Sequence, residues 1–145
     1  MYKKTQFGLV GVVLIMSAVG IIALSQIYSG QKLETPILIS LIIPLVVLLI
    51  MKDLTVTVND ETILLVFGIG LIKRKFDVAN IESCRRMENI FTLGWGIRYG
   101  RDFVLYNVSG RDSVELTFKD GRRKVRIGTA DLDGLYDAIN SRIKR

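Results

Sequence analysis

Histidine is absent from this chain of 145 residues, and cysteine occurs once. Without histidine there is no imidazole base, no histidine-based metal site and no Ser-His-Asp or Cys-His nucleophilic system. A single cysteine excludes an intrachain disulfide and any multi-cysteine zinc or iron–sulfur site. The length predicts one modest domain plus appendages rather than two full domains. Most classes of soluble enzyme are therefore disfavoured.

Charge is missing from one end of the chain, because Thr5–Gln31 contains no charged residue. Within it, the 22 residues of Phe7–Tyr28 are almost wholly apolar. As a helix they would span about 33 Å at 1.5 Å per residue, which is enough to cross a hydrocarbon core of roughly 30 Å. We predict a membrane-spanning helix over about residues 7–28.

A second uncharged stretch, Thr35–Met51, follows after a link too short for anything but a tight turn. Pro36 suits a first helical turn, and Pro44 predicts a kink that membrane helices tolerate. Its apolar part would give about 24 Å of helix, which is short for a span. Neither stretch carries a GxxxG pairing motif. We predict a transmembrane helical hairpin over residues 1–51, with spans of about 7–28 and 35–51.

Three alternatives compete with the hairpin. Tyr2-Lys3-Lys4 and Ala23-Leu24-Ser25 resemble the start and the cleavage site of a signal peptide, but the apolar run exceeds the usual 7–15 residues. The second stretch is short enough to dip into the bilayer without crossing it. A buried pair of soluble helices is the third alternative, although the rest of so small a chain could hardly cover two all-round apolar helices.

Positive charge indicates the orientation of the hairpin. Lys3 and Lys4 precede the first stretch and Lys52 follows the second, whereas the link holds only Lys32, offset by Glu34. Because positive residues stay on the cytoplasmic side, both termini and the C-terminal region should be cytoplasmic. We therefore expect an integral protein of the inner or cytoplasmic membrane.

Residues 52–145 have the pattern of a small β-rich domain with 17 basic and 13 acidic side chains. Leu54, Val56 and Val58 alternate with threonines, which predicts a half-buried strand. Turn residues then separate further short strands. The predicted strands are Leu54–Val58, Thr62–Phe67, Leu71–Phe76, Ile81–Met87, Phe103–Val108 and the two arms of a hairpin over Val114–Ile127.

That last hairpin has the clearest local signal. Asp120-Gly121 suits a type I′ turn, and placing Lys119 opposite Arg122 determines the register. Leu116 then lies opposite Val125 and Val114 opposite Ile127, on one face. On the other face Glu115 lies opposite Arg126, an opposite-charge pair worth about 0.2–1 kcal/mol.

A C-terminal helix over about residues 131–143 completes the domain. Thr129 or Asp131 can cap its start, and Arg142 suits its end. An apolar stripe at helical spacing would cover the open end of a curved sheet, and it consists of Leu132, Leu135, Tyr136, Ile139 and Ile143. We predict an α+β, mostly β, fold with about seven antiparallel strands in a curved sheet or barrel, capped by this helix: the pleckstrin-homology-like arrangement.

Several segments between Leu54 and Ile143 resemble the bacterial pleckstrin-homology-like domains of small membrane proteins. They are Leu54–Val58, Phe76–Ile81, Gly94–Arg98, Ser113–Gly121 and Ile127–Thr129 leading into Leu132–Ile139. A preceding helical hairpin is also similar to members of that group. The resemblance implies a membrane-associated, non-catalytic module and supplies no catalytic, metal-ligating or cofactor-binding residues. No cofactor is expected.

Basic side chains are the first candidates for binding. Anionic lipid headgroups attract such residues by about 1 kcal/mol each close to the surface, but ordinary solvated charge explains the same pattern. Strand alternation splits each basic cluster between two faces. The candidate lipid-surface contacts are Lys52, Lys73, Lys75, Arg122, Lys124 and Arg126.

The glycine-rich segment Glu88–Gly100 is the second candidate. Its aromatic and apolar residues could insert at the headgroup level or dock a protein, or they could fill the core while the glycines make turns. The candidate residues are Phe91, Leu93, Trp95, Arg98 and Tyr99. The glycine spacing from Gly94 to Gly100 does not fit a dinucleotide-binding motif.

Three functional classes remain. The leading hypothesis is a membrane-anchored protein-interaction or scaffold module with an unknown membrane or cytoplasmic partner, homo-oligomers included. The second is an anionic-lipid-binding or membrane-sensing domain. An enzyme acting on lipid or peptide is the third and weakest, because no acid–base pair can be assembled and Cys84 is expected to be a small core residue. Nucleic-acid binding is not expected from a mild charge on a membrane-bound domain.

Overall fold

The computed structural model describes residues 1–30, 35–90 and 96–143, with side chains from 38 in the second range. Two long helices interrupt a β domain that begins before them. The order of elements is β1 (Tyr2–Phe7), α1 (Leu9–Ser29), α2 (Thr35–Met51), β2 (Asp53–Val58), β3 (Thr62–Phe67), β4 (Ile72–Asp77), a 3-10 turn (Val78–Asn80), β5 (Ile81–Glu88), β6 (Gly96–Tyr99), β7 (Phe103–Asn107), β8 (Asp112–Phe118), β9 (Lys124–Gly128) and α3 (Leu132–Ile143).

The two predicted apolar helices are present as α1 and α2. Helix α1 has no buried residue and ends at Gly30, whose left-handed backbone (φ 62°) suits a C-terminal cap. It is long and apolar enough to cross a membrane by length and composition. Helix α2 is shorter, with 17 residues, and contains Pro44. Many of the described apolar side chains of both helices are exposed, whereas Met51 at the end of α2 packs against the core.

The first sheet has the order β1-β2-β3-β4, with every neighbouring pair antiparallel. Strand β1 was not predicted: its residues lie in the predicted hairpin of residues 1–51, in which Phe7 was the first residue of the first span, and the structure places Phe7 in a strand instead. It pairs with β2 along its whole length, from Tyr2 opposite Val58 to Phe7 opposite Asp53. The N-terminal residues therefore belong to the β domain, although two helices separate them from it in sequence.

The second sheet has the order β5-β8-β9-β7-β6. The register predicted for the β8–β9 hairpin is confirmed, with Val114 opposite Ile127, Glu115 opposite Arg126 and Leu116 opposite Val125. Strand β9 also pairs with β7, and this pair is parallel. The β7–β8 connection therefore crosses the width of β9, which occupies the position between them.

These two sheets correct the predicted curved sheet or barrel of about seven antiparallel strands. The described residues form nine strands in two separate sheets, the barrel is not closed, and one pair is parallel. Alternation along a strand records which side chains point inward, but it does not record which strand lies alongside. The sequence pattern could therefore predict most strands and not their order.

Helix α3 closes the core between the sheets. Leu135 and Ile139 are fully buried, and the helix packs on β5 and β8. Its start is capped by Asp131, whose Oδ1 accepts a hydrogen bond from the Gly134 N–H at 3.1 Å. The predicted helix and one of its two candidate caps are confirmed. The buried core side chains are Leu54, Val56, Val58, Ile63, Leu65, Phe67, Phe76, Val78, Ile81, Tyr106, Val108, Val114, Leu116, Phe118, Val125, Ile127, Leu135 and Ile139.

Candidate functional site

Both ends of the helical pair meet the same end of the β domain. The Gly8 N–H, just before α1, donates to the Lys52 carbonyl, just after α2, at 2.7 Å. A methyl group on Gly8 would lie 2.7 Å from the Val108 carbonyl oxygen, so the chain can enter α1 here only without a side chain. We call this end of the domain the helix-proximal end.

The β3–β4 turn is packed against the end of α2. The Gly68 N–H donates to the Asp53 carbonyl at 3.0 Å, and a methyl group on Gly68 would collide with the carbonyl oxygens of Leu49 and Ile50. Gly68 and Gly70 both have positive φ, at 47° and 86°. These left-handed conformations favour glycine, and they hold a tight turn directly beside the last residues of α2.

Three large apolar side chains outside the helices are exposed at the helix-proximal end. Phe7 at the end of β1 is 65% exposed, and Ile69 and Leu71 in the β3–β4 turn are 61% and 69% exposed. We call these three residues the collar. They lie beside helix ends whose own side chains are also apolar and exposed, so the outward-facing apolar surface continues from the helices onto the domain.

Lys73 and Lys75 follow the collar along β4. Both are exposed and stand opposite Val66 and Leu64 of β3. The Lys73 side chain lies close to the turn: its Cε and Nζ are 3.4 and 3.9 Å from the position that a methyl group on Gly70 would occupy. Within the described parts of the chain, no carboxylate lies within salt-bridge distance of either ammonium group. Lys52, by contrast, contacts Asp53 at 2.9 Å.

The other three candidate lipid contacts lie in the second sheet and have partners. Arg126 contacts the Glu115 carboxylate at 2.8 Å and Lys124 contacts it at 3.6 Å. Arg122 contacts Asp120 at 3.4 Å and stacks over the Phe118 ring at 3.9 Å. Geometry therefore divides the six candidates into Lys73 and Lys75, which lack acidic partners, and four that have them.

The Asp120-Gly121 turn lies at the opposite end of the domain from the helices. Strand β2 starts beside α2 and carries the chain about 20 Å away over six residues. At its far end the backbone carbonyl of Glu61 accepts a hydrogen bond from the Val78 N–H at 2.8 Å, and that of Asn80 accepts one from the Lys119 N–H at 3.0 Å. Lys119 and the turn that follows it are thereby fixed at this far end, so Arg122 and the collar lie at opposite ends.

Glu115 is the most deeply buried carboxylate among the described residues, with 1% of it exposed against 8% for Asp53. Burial by itself would raise the pKa of Glu115, but hydrogen bonds from Arg126 and Arg85 and the positive charges of Arg126 and Lys124 outweigh it. The pKa of Glu115 is therefore lowered, and the carboxylate stays ionised. The sequence predicted its pairing with Arg126 but not its burial or its second arginine.

Polar contacts tie β1 to the second sheet and to α3. Gln6 Nε2 donates to the Gly128 carbonyl at 2.6 Å, and the Tyr2 hydroxyl donates to Asp131 Oδ2 at 3.1 Å. Burial and the contact with Asp131 raise the pKa of Tyr2 to about 12. The sequence pattern does not reveal these residues, because Tyr2–Phe7 has no apolar alternation: Tyr2 and Phe7 are its only apolar residues, and they fall on opposite faces of the strand.

The candidate docking segment is described only in part. Arg98 and Tyr99 lie in β6 and are exposed, whereas Phe91, Leu93 and Trp95 lie outside the described residues. Strand β6 is an edge: among the described strands it pairs with β7 alone. The other edge strands carry adjacent charges, namely Lys3-Lys4 on β1, Lys73-Arg74-Lys75 on β4 and Arg85-Arg86 on β5. Strand β6 has a single charge, Arg98, beside Ile97 and Tyr99.

Two cavities lie at opposite ends of the domain. An apolar cleft of about 280 Å³ lies where α1 and α2 meet the domain, and a more open and polar hollow of about 730 Å³ lies at the far end. Cys84 is partly buried against the core, as expected. The acidic residues at the start of α3 have structural partners: Asp131 caps the helix, and Asp133 and Asp137 contact Arg86 at 2.9 and 3.7 Å.

The described structure is a pair of apolar helices joined at both of its ends to the helix-proximal end of a mostly β domain. Comparisons of the chain with models of protein families, with curated proteins and with solved structures gave no match. The function is therefore argued from the surfaces themselves.

Proposed function

We propose that this protein is an integral protein of the cytoplasmic membrane, with α1 and α2 crossing the bilayer as a hairpin and the β domain in the cytoplasm. The supporting observation is the pairing of β1 with β2, which brings both ends of the helical pair to one side. At 17 residues, α2 would extend about 26 Å, a mismatch that bilayer thinning accommodates. Lys3, Lys4 and Lys52 flank the hairpin on the domain side.

The same strand weighs against the signal-peptide alternative. Cleavage after Ser25 would remove all of β1 and expose the edge of β2. It would also remove Gln6 and Tyr2, whose hydrogen bonds join the first sheet to Gly128 and Asp131. A segment that completes the folded domain is a poor candidate for removal.

Two alkaline phosphatase fusions test the topology. A fusion after Arg145 should show little periplasmic activity, and a fusion after Gly30, with the chain truncated there, should be strongly active. Strong activity of the Arg145 fusion would overturn the cytoplasmic placement. Equal and low activity of both fusions would overturn the hairpin.

We further propose that the β domain is a relative of pleckstrin-homology-like domains. Support comes from the antiparallel first sheet, the second sheet and the C-terminal helix packed on strands β5 and β8 of the second sheet. The placement of β1 ahead of the helices and the parallel β7–β9 pair are departures from the predicted all-antiparallel arrangement. An experimental structure of the full chain in detergent, compared with that fold, would test the relationship.

The role that we propose for the domain is binding a protein at the membrane face rather than catalysis. The observation that carries it is the β6 edge. Unpaired strand edges invite pairing with another chain, and proteins usually block them with charge. Strands β1, β4 and β5 follow that rule, whereas β6 carries one charge, Arg98, beside an exposed Tyr99, and its Ile97 is partly buried against the core. Arginine and tyrosine are enriched at interfaces, and an added strand would satisfy the main-chain groups of this edge.

A photo-crosslinking amino acid in place of Tyr99 tests this role in living cells. We expect one discrete adduct, which weakens when Arg98→Glu, an exposed substitution on the same edge, is added. The same amino acid in place of Lys75, on the charged β4 edge, is the matched control and should give no discrete adduct. An adduct of twice the chain mass would identify a second copy as the partner. Absence of an adduct at Tyr99, or identical adducts at both positions, would contradict β6 docking.

A second candidate role is contact with anionic lipid. Lys73 and Lys75 favour it, because they lack acidic partners in the described structure and lie beside the collar. Binding of lipid by this end and docking of a protein on β6 use different surfaces, so one does not exclude the other.

A further inference from the structure

The turn between β3 and β4 has a composition that its position in the domain does not explain. Tight turns between strands are usually polar, because they face water. This turn reads Gly68-Ile69-Gly70-Leu71, and both of its large side chains are mostly exposed. By contrast, the β2–β3 turn at the far end contains Asn59, Asp60 and Glu61.

We propose that the β3–β4 turn is a third contact with the bilayer, one that does not cross it. Ile69 and Leu71 enter the layer between headgroups and acyl chains, and Lys73 and Lys75 bind anionic lipid headgroups just outside it. This inference rests on the proposed anchoring by α1 and α2 and adds to it a specific surface of the β domain.

Depth is set by the packing of the turn on α2. Gly68 touches the carbonyl oxygens of Leu49 and Ile50, which belong to the last turn of that helix. A helix that spans a bilayer ends at the headgroup level, so a turn touching its last residues lies at that level too. Amphipathic segments at the interface bury their apolar face about 5–10 Å deep. The side chains of Ile69 and Leu71 can reach this depth from the turn.

Charge along β4 fits the same orientation. Lys73 follows Leu71 by two residues and Lys75 follows by four, and all three side chains alternate with those that face the core. The apolar tip and the two ammonium groups therefore lie on one side of the strand in order of increasing distance from α2. Lipid phosphates would supply the acidic partners that the described structure does not provide.

A bilayer fits this surface better than a protein does. Two apolar side chains and two lysines form a patch far smaller than the roughly 800 Å² per partner of a stable protein interface. The patch is also continuous with the helices, which the proposed anchoring places in lipid. A lipid layer needs no shape complementarity, and it covers the whole collar at once.

Single-cysteine labelling of the full chain tests the proposal. In a Cys84→Ala background, Ile69→Cys is labelled with an environment-sensitive fluorophore, and the protein is reconstituted into nanodiscs containing lipids with a spin label near the headgroup. Val13→Cys in α1 reports on the span, and Asp60→Cys in the β2–β3 turn reports on water. Circular dichroism checks that each variant keeps its sheets. If Cys84→Ala unfolds the domain, a fluorescent amino acid at the same positions of the natural chain replaces it.

The expected result is a blue-shifted, lipid-quenched fluorophore at positions 69 and 13 and an unquenched one at position 60. Quenching at 13 with none at 69 would overturn the inference and leave the anchoring intact. No quenching at either position would overturn the anchoring itself. Quenching at all three positions would mean that the whole domain lies on the bilayer, and it would overturn a contact specific to this turn.

Nanodisc composition tests the lysines. With the fluorophore at position 69, quenching should be stronger in discs of mixed anionic and neutral lipid than in neutral discs. Salt at about 1 M, where the screening length is near 3 Å, should remove the difference. Lys73→Gln with Lys75→Gln should remove it too, whereas Arg122→Gln with Lys124→Gln, at the far end, should keep it. A difference that persists without Lys73 and Lys75, or that is absent from the start, would overturn their role.

Discussion

Helices α1 and α3 contain similar apolar residue types, but the burial of their side chains differs. In α1 no residue is buried, and Leu24 is 58% exposed. In α3 the apolar residues form one stripe, and Leu135 within it is fully buried. The difference lies in the remaining positions: α3 fills them with Asp133, Asp137 and Arg142, whereas α1 fills them with more apolar residues.

This contrast indicates which surroundings each helix surface requires. A stripe of apolar residues needs a protein core on one side and water on the other. An all-round apolar surface that its own chain leaves uncovered needs apolar surroundings, which the proposed insertion into a bilayer would supply. Substitutions in each helix, and at the contact of Gly68 with the end of α2, test this contrast.

The largest expected effect is cavity formation in α3. Leu135→Ala should lower the free energy of unfolding by about 2–5 kcal/mol, because the buried side chain leaves a space that the core cannot fill. Leu24→Ala in α1 makes the same chemical change where no protein core exists, and it should leave domain stability nearly unchanged. Urea unfolding in mild detergent, followed by circular dichroism of the sheets, measures both. Equal losses would mean that α1 is packed like a soluble helix.

Substitution at the contact between the β3–β4 turn and the end of α2 should lower stability almost as much. Gly68→Ala should reduce stability by about 2–4 kcal/mol, since it combines left-handed strain with a collision against carbonyl oxygens of α2. Gly121→Ala shares the positive φ (70°) but meets open space, so it should lose only about 1–2 kcal/mol. Thermal unfolding in detergent gives the comparison. Matching losses at the two glycines would show that the contact between turn and helix is absent in solution.

The next largest loss of stability is expected from removing the buried charge of Glu115. Glu115→Gln should reduce stability at neutral pH by about 1–3 kcal/mol, because it removes charge-assisted hydrogen bonds from Arg85 and Arg126. The pKa of Glu115 is lower in the folded state than its usual 4.5, so its stabilisation is present above that pH and is lost as pH falls below it. The variant should therefore show a flatter loss of stability in acid.

Glu88→Gln is the matched control for that prediction. Its carboxylate is exposed and contacts Arg111 at 3.0 Å, so its removal should change stability by less than about 1 kcal/mol. Urea unfolding between neutral pH and pH 3 measures both variants. An acid profile unchanged by Glu115→Gln would contradict the buried ion cluster.

The smallest effect should come from the contact of β1 with α3. Tyr2→Phe should lower stability by about 1 kcal/mol at neutral pH, because one hydrogen bond to Asp131 is lost. The pKa of Tyr2 is raised from 10.0 to about 12 in the folded state, so its contribution is full below pH 10 and is lost as pH rises through 12.

Alkaline unfolding of the natural chain should therefore be steeper between pH 10 and 12 than that of the variant. Tyr28→Phe, at an exposed position at the end of α1, is the control and should match the natural chain. Identical curves for all three proteins would mean that β1 is detached from α3 in solution.

Most elements could be predicted from sequence because their signals are local. Strand β3 was predicted at its observed bounds, and the β8–β9 register followed from two turn residues and alternation. Strand β6 was not resolved within a glycine-rich segment, where alternation gives no clear period. The candidate lipid contacts were identified as residue types, but their division between the two ends of the domain depends on strand order.

The sequence by itself determined both apolar helices to within two residues at each end, which strands alternate, and two candidate caps for α3, since each depends on residues a few positions apart. Only the tertiary structure decided that Tyr2–Phe7 is a strand, that Glu115 is buried and that Ile69 and Leu71 lie beside α2. Tyr2 meets Asp131 across 129 positions, and Gln6 meets Gly128 across 122. Contacts at such separations form only when the whole chain is folded, because no local pattern encodes which distant segments become neighbours.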